Sequence, residues 1–463
     1  MNTGSAIHGR FLRFAMLALA APAVLAGGCR RAEPPPNIVL ITVDALRPDH
    51  LSCYGYGRKT SPAIDALAAR GTLFRNACAA SCWTPPSLAS LMTSLPPRTH
   101  GVVHGQVSPG EKKVLHQQFL SARFRTLAET LKSAGYATFG VSTTGHTAAE
   151  TGFGRGFDRY AGLWFADAAE ADRSVEGFLG DMRKSPPYFL WIHYFDPHDP
   201  YFAREPWITE YNPGWKRYAA WSQMVMRDMQ KRKGEIAADP ALLGALKDFY
   251  DSEINYADAF IGKLLEKLPD GGRAMVILSA DHGEEFMDHG LIGHGNSLFE
   301  ELIRVPLIAV LPGAGKSVGT VDEPVSALDI LPTICDAAGI RPPAGVEGRS
   351  LLPLMRGERP GGDRAVYAEL DRPRTSGHRE AMRLGKWKYI LSGWDGPEEF
   401  LFNLSRDPGE RHDLFPRERE VAAGAREAMR RWIGAHPEYK APAAASPLSG
   451  ERKKALRSLN YLN

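Results

Sequence analysis

Cysteine is scarce in this chain, with five in 463 residues. Apart from Cys29, the cysteines Cys53, Cys78, Cys82 and Cys335 are spaced like neither a zinc ribbon nor a dense disulfide framework. A small disulfide-stapled scaffold is excluded, although export leaves individual disulfides open. Charge of one sign is also missing. The formal net charge of +3 falls to about +1 without the segment carrying Arg10 and Arg13, so no global basic field attracts polyanions. Nucleic acid is therefore not an expected partner, and an anionic substrate must be captured locally. No internal repeat is visible, which excludes an array of small units.

Long hydrophobic runs are missing too. The apolar stretch Phe14 to Gly28 is too short to span a membrane comfortably, and with Arg10 and Arg13 ahead of it residues 1–28 read as an export signal. Leu25-Ala26-Gly27-Gly28-Cys29 resembles a bacterial lipobox, with the leucine one residue further from the cysteine than usual. The expectation is an exported protein, periplasmic or on the cell surface, lipid-anchored to a membrane at Cys29. Residues 29–36, with Pro34-Pro35-Pro36, form a short stiff tether. Cleavage without lipidation and an uncleaved anchor are the alternatives.

What remains has the composition of an ordinary globular protein, 44% hydrophobic and 24% charged. Two near-continuous apolar runs, Asn37 to Val43 and Ala274 to Ala280, are followed directly by Asp44 and Asp281. Runs of this kind suit strands of a parallel sheet covered by helices on both faces. Strand and helix signals alternate from residue 37 to about 345, predicting an α/β doubly wound sheet flanked by helices over 37–360. Ligands in such sheets sit beyond the carboxyl ends of the strands, so Asp44, Asp281 and His282 would face one crevice. Two carboxylates and an imidazole gathered there call for a divalent cation. An Asp after a strand is also an ordinary cap or turn residue. The run His282-Gly283-Glu284-Glu285, then Gly293-His294-Gly295, favours a site.

The remaining segments are read more coarsely. Residues 126–136 predict a helix closed by Gly135, with a strand from Ala137 to Ser142. Another apolar strand, Tyr188 to His193, precedes Asp196-Pro197-His198-Asp199-Pro200-Tyr201, where Asp and His again cluster past a strand end. Residues 201–245 hold Trp207, Trp215 and Trp221 beside Lys231-Arg232-Lys233, and read either as a lid over a substrate or as an insertion packed on the body. Residues 361–435 predict a small C-terminal α+β subdomain, with strands at Ala365 to Leu370, Ala381 to Leu391 and Phe400 to Leu404 and a helix through Met429 and Trp432. Residues 436–463 are expected to be a mobile tail.

Chemistry at such a centre needs a nucleophile, and the candidate is Thr84. Pro85 and Pro86 start an amphipathic helix with Leu88, Leu91 and Met92 on one face, placing Thr84 at its N-terminus. Free N–H groups and the positive dipole end there favour an anionic ester. Thr is also a good helix cap, which leaves a purely structural reading open.

Together these segments resemble the sulfatase family of the alkaline phosphatase superfamily. The resemblance runs from Asn37 to about Leu414. It rests on Asp44 with Leu46-Arg47-Pro48-Asp49, on Thr84 with Pro86-Ser87 and Leu91-Met92-Thr93, and on Asp196-Pro197-His198 with Pro200-Tyr201. It continues through Asp281-His282-Gly283-Glu284, Gly293-His294-Gly295, Glu300-Glu301, Arg304-Val305-Pro306, Leu401 to Leu404 and Asp407-Pro408 with Glu410.

The resemblance implies an alkaline-phosphatase-like fold and a divalent metal held by Asp44, Asp281 and His282, with Thr84 both ligand and catalytic nucleophile. It further implies that His198 and His294 contact a sulfate or phosphate ester or protonate its leaving group, with Asp196 among the substrate-binding residues. Many sulfatases have lysine where His294 stands, and an imidazole there could also bind a second metal.

The chain departs from the formylglycine pattern, Cys- or Ser-x-Pro-x-Arg. Thr84 takes the modified position, Leu88 stands where arginine belongs, and Cys82 lacks the proline at the required spacing, so no formylglycine is expected. His282 replaces a common asparagine, favouring zinc or manganese over calcium without excluding it. The leading expectation is a metal-dependent hydrolase of sulfuric or phosphoric esters. An envelope phospho-group transferase or phosphodiesterase is the alternative. A non-catalytic binding lipoprotein fits less well, since every implied metal ligand is present.

Overall fold

The computed structural model describes residues 34–439 apart from 104–105, 108–115, 118, 219–228, 270–272, 314–317, 359–361, 373–376 and 394–397. The leader 1–28, Cys29 and residues 440–463 of the expected tail lie outside the described residues. Among the described residues no helix is long and apolar enough to cross a membrane.

Strands made of Val, Ile and Leu without polar alternation must be covered on both faces, and they occupy the centre of the main sheet. In chain order its strands are β1 (Ile38–Val43), β2 (Thr72–Cys78), β3 (Ala137–Ser142), β4 (Arg159–Gly162), β5 (Tyr188–Tyr194), β6 (Met275–Ala280) and β7 (Arg304–Val310). The two-residue β8 (Thr320–Val321) and β9 (Val325–Ser326) follow. Their spatial order is β8-β2-β7-β6-β1-β5-β3-β4, with β9 also beside β2. β1, β5 and β6 lie together and are buried along their whole length.

The sheet is mixed: β1 runs parallel to both of its neighbours, as its apolar run suggests, whereas β7 runs antiparallel to both β2 and β6. The chain between β6 and β7 carries site residues and the one-turn helix Glu300–Ile303 but no crossover helix, so it returns antiparallel. Local signals elsewhere are met in the expected way. The helix Leu127–Ser133 opens on a Thr126/Glu129 capping box, and Gly135 beyond it takes a positive φ of 91°.

Register positions the site. Val43 of β1 is paired with Ala280 of β6 on one side and with Tyr194 of β5 on the other. The residues that follow these three strands therefore leave the sheet side by side.

The C-terminal subdomain is a four-stranded antiparallel sheet, β10 (Ala365–Arg372), β11 (Gly377–Leu384), β12 (Trp387–Ser392) and β13 (Glu398–Asn403). The single strand expected from Ala381 to Leu391 is a hairpin instead, because Gly385, at φ 55°, turns the chain. The helix Arg419–Ala435 packs on this sheet through Met429 and Trp432, the latter stacked on Tyr367 at 4.4 Å.

In the 201–245 stretch, helix Trp207–Tyr211 lies against the long helix Pro240–Lys267, with Trp207 edge-on to Tyr256 at 4.9 Å. That part is packed on the body; Trp221 and the side chains of Lys231 and Arg232 are outside the described residues. The tail's first residues are anchored rather than mobile: the Tyr439 N–H donates to Arg98 O at 2.7 Å, and its ring meets Phe124 edge-on.

Candidate active site

Asp44 and Asp281 emerge as neighbours past the ends of β1 and β6, both fully buried. Asp281 Oδ1 accepts from the N–H groups of Ala45 (3.2 Å) and His282 (2.9 Å). Its Oδ2 is buried with no hydrogen-bond partner. An orphaned carboxylate oxygen is costly, so an unfilled demand for positive charge sits here. His282 donates from Nδ1 to Gly283 O (2.8 Å), which leaves Nε2 as the nitrogen that faces the group. That Nε2 lies 3.3 Å from Asp44 Oδ1, 3.6 Å from Asp281 Oδ2 and 3.2 Å from Thr84 Oγ1.

Thr84 is the first residue of the helix Thr84–Thr93, and Trp83 occupies the cap position. Its hydroxyl points to His282 and to Asp44 Oδ1 (3.5 Å) rather than serving as the helix cap. Charge-assisted hydrogen bonds run to about 2.7–2.9 Å. Ligand atoms at tetrahedral corners about 2.1 Å from a cation lie about 3.4 Å apart. The separations of 3.2–3.6 Å in this group match the second spacing. Asp44, Asp281, His282 and Thr84 thus fit one divalent cation.

The electrostatics agree. Burial pushes Asp44 up, but His198, His193 and His282 outweigh it and hold the carboxyl well below its usual range. Burial and the neighbouring Asp44 charge push Asp281 up to about 6. Burial lowers His282, yet Asp281 and Asp44 bring it to about 9. Without a metal the group must retain protons to offset its acids, and a bound cation would release them.

Behind Asp44 stands His193 of β5, fully buried, with Nε2 3.4 Å from Asp44 Oδ2. Its Nδ1 is 2.9 Å from Thr42 Oγ1, which also accepts from Trp191 Nε1 at 3.0 Å. This chain of contacts fixes the imidazole that orients Asp44.

Beside the first group is a second, formed by His198, Asp199 and His294, whose ligand-type atoms all lie within 4.8 Å of one another. The His294 ring is 4.6 Å from that of His282 and 4.7 Å from that of His198, so three imidazoles join the two groups. His294 Nδ1 is 3.1 Å from Glu284 Oε1, and Tyr201 donates its hydroxyl to Glu284 Oε2 at 3.0 Å. Asp196, expected at the substrate, is turned elsewhere: it accepts from the Ala168 N–H (2.8 Å) and is paired with Arg204 (2.9 Å). Asp199 is the acid that lies in the group with His198 and His294. Sequence alone gives neither Asp199 nor His193 a role; the signal for His193 is an imidazole inside an otherwise apolar and aromatic strand.

Comparison with known proteins is consistent with this geometry. Residues 36–340 match the family model described as Sulfatase, and 288–432 match that of N-sulphoglucosamine sulphohydrolase, C-terminal. The chain is 25% identical to a Delta 4,5-hexuronate-2-O-sulfatase of Bacteroides thetaiotaomicron, over 84% of this chain and 86% of that one. It is 27% identical to human arylsulfatase A, over 84% and 85%. Among solved structures it resembles the phosphonate monoester hydrolase of Agrobacterium radiobacter, with a TM-score of 0.67 and 20% identity over 89% of this chain and 100% of that one. It also resembles BT4656 in complex with its substrate D-glucosamine-2-N,6-O-disulfate, with a TM-score of 0.69 and 19% identity over 87% and 97%.

Proposed function

The chain belongs to the sulfatase family, and on that premise we propose a metal-dependent hydrolase of sulfuric or phosphoric esters in which Thr84 is the nucleophile. The observation that carries this reading is the placement of Thr84 Oγ1 within 3.5 Å of both Asp44 and His282, in the group that holds the orphaned Asp281 oxygen.

The imidazole among the ligands favours zinc or manganese over calcium. Such a cation, held by Asp44, Asp281, His282 and Thr84, supplies positive charge that lowers the hydroxyl pKa and neutralises the ester. The helix N-terminus behind Thr84 orients the anionic group toward its hydroxyl. The Thr84 hydroxyl gives up its proton to solvent, and Oγ1 forms a bond to sulfur or phosphorus as the bond to the leaving oxygen breaks. The departing alcohol takes up a proton on the side facing His198 and His294. Water then cleaves the Thr84 ester and restores the hydroxyl, releasing sulfate or phosphate.

Leu88 is completely buried where formylglycine sulfatases have arginine, so no cation reaches the ester from that turn of the helix. Thr84 has no aldehyde hydrate that could expel sulfate internally. Its ester must pass to an acceptor, and an envelope acceptor in place of water would make the enzyme a phospho-group transferase. Export and lipid anchoring at Cys29 belong to the same proposal; acyl-chain labelling that is lost in Cys29→Ala tests the anchor.

The test of function compares aryl sulfate, aryl phosphate and bis-aryl phosphodiester with added zinc, manganese or calcium, beside Thr84→Ala. Cleavage of at least one ester that disappears in Thr84→Ala supports the proposal. Undiminished cleavage by Thr84→Ala refutes it, and turnover only with an added alcohol acceptor establishes the transferase.

A further inference from the structure

β1, β5, β3 and β4 run parallel and in that order across the sheet, so the chain leaves all four at the edge where Asp44 lies. The two halves of that edge differ in chemistry. Past β1 and β6 come acids and imidazoles, whereas His146 follows β3, Trp164 and Phe165 follow β4, and Phe195 follows β5. These rings form an arc that meets the site at both ends. Trp83, the residue before Thr84, is edge-on to His146 at 6.4 Å. Beside His146, a side chain on Gly145 would come within 2.7 Å of the Trp164 ring, so glycine is what lets that indole lie against the loop. Trp164 is edge-on to Phe165 at 6.0 Å, Phe165 is edge-on to Phe195 at 5.2 Å, and Phe195 stacks on His198 at 4.5 Å. Phe165 stands at φ 51°, which a bulky residue adopts only where its surroundings over-determine it.

We propose that this arc is the subsite for the alcohol part of the ester, and that the preferred alcohol carries a planar apolar ring. The inference rests on the reading of Thr84 and the Asp44 group as the place of ester cleavage. Ligands of such sheets lie across the carboxyl ends of the strands. With the anion held at Thr84 and the leaving oxygen on the side facing His198, the group beyond that oxygen runs along Phe195 and Phe165. Trp83, His146 and Phe195 are buried, which fixes the inner rings, while Trp164 and Phe165 are half-buried and keep ring surface for a ligand to cover. Rings set offset or edge-on to one another in this way take up a further ring in the same geometry.

The polar groups of this half favour an apolar ring over a polyhydroxylated one. Thr143, Thr147 and Thr151 spend their hydroxyl protons on the main-chain carbonyls of His193, Thr144 and Ala148, at 2.9, 3.2 and 2.7 Å. Asp167 and Asp196 are both held by Arg204, at 3.1 and 2.9 Å. A sugar laid here would exchange water for rings and leave its hydroxyls poorly paired, whereas an apolar ring loses nothing by the exchange.

The experiment measures binding, so that it does not depend on turnover. The full protein with added zinc is titrated in a calorimeter with 2-naphthylmethylphosphonate, ethylphosphonate and the 6-phosphonate analogue of glucose, which share an anion and have no ester to cleave. Wild type is expected to bind the naphthyl compound at least about tenfold tighter than either of the others, and this preference is expected to fall at least about threefold in Trp164→Ala and in Phe165→Leu, with unchanged circular dichroism spectra. Equal binding of the naphthyl and ethyl compounds by wild type, tighter binding of the glucose analogue, or a preference unchanged in both folded variants overturns the ring subsite. Binding of none of the three by wild type overturns instead the anion site on which the inference depends. If Trp164→Ala does not fold, Phe165→Leu alone decides.

Discussion

Around Asp281 and around Glu301 the chain builds two clusters from the same kinds of side chain, and they are put together differently. In the first, His282 commits one nitrogen to a carbonyl, while the other stands 3.2–3.6 Å from three oxygen atoms on Asp44, Asp281 and Thr84. In the second, His289 donates from Nδ1 to Glu301 Oε1 at 2.7 Å, and its Nε2 is 3.3 Å from Glu410 O. The His289 ring is stacked on Phe299 at 3.7 Å, and Glu285 Oε1 accepts from the N–H groups of His289 and Leu291. Each cluster has one buried acid oxygen without a hydrogen-bond partner, on Asp281 and on Glu285. Only the first combines it with an imidazole nitrogen facing three oxygen atoms at open distances and a hydroxyl at the head of a helix. Residue types alone do not mark a metal centre; open distances around an unfilled demand for charge do. The second cluster is a hydrogen-bonded brace.

Substitutions in the two clusters should therefore behave differently. The largest effect is expected from Thr84→Ala, which removes the proposed nucleophile and should lower kcat by at least about a thousandfold on whichever ester is turned over best. Next, Asp281→Asn should strip metal from the Asp44 and His282 group, whereas Glu301→Gln should leave metal content unchanged; elemental analysis of both distinguishes the clusters. In the brace, His289→Ala should cost about 1–3 kcal/mol of stability by leaving Glu301 without its partner, with metal retained. Denaturant midpoints measure that loss.

The smallest effect is one of pH. Burial lowers His289, but the hydrogen bond and charge of Glu301 outweigh it and raise the imidazole to about 9. Its folded value lies above the ordinary one, so this stabilisation is fully present below about pH 6.5 and is lost as pH rises through 9. The stability gap between wild type and His289→Gln should shrink between pH 6 and pH 10. A gap that grows with pH would contradict the brace.

The central strands are readable in the sequence because a strand buried on both faces is an unbroken apolar run, as β1 and β6 are. Their common register brings Asp44 and Asp281 together without any further signal. Strand direction is not readable: Arg304–Val310 carries the same apolar residues whichever way it runs, and the missing crossover helix decides. Nor is the choice between Asp196 and Asp199, since spacing past β5 does not show which side of the turn faces the crevice. Arg204 decides it by capturing Asp196. The hairpin at Gly385 is hidden for a similar reason, because both of its strands carry the same mixed pattern and only the positive φ separates them. Thr84 is ambiguous in sequence between cap and nucleophile, and the position of Trp83 at the cap removes the first of these in the fold.

Attack of Thr84 on the ester is tested most directly by mass spectrometry of protein mixed with an aryl ester substrate and quenched in acid. The peptide containing Thr84 is expected to gain the mass of one sulfuryl or phosphoryl group, and Thr84→Ala to show neither adduct nor turnover. Full turnover by Thr84→Ala, with no adduct on the wild-type peptide, would contradict a threonine nucleophile.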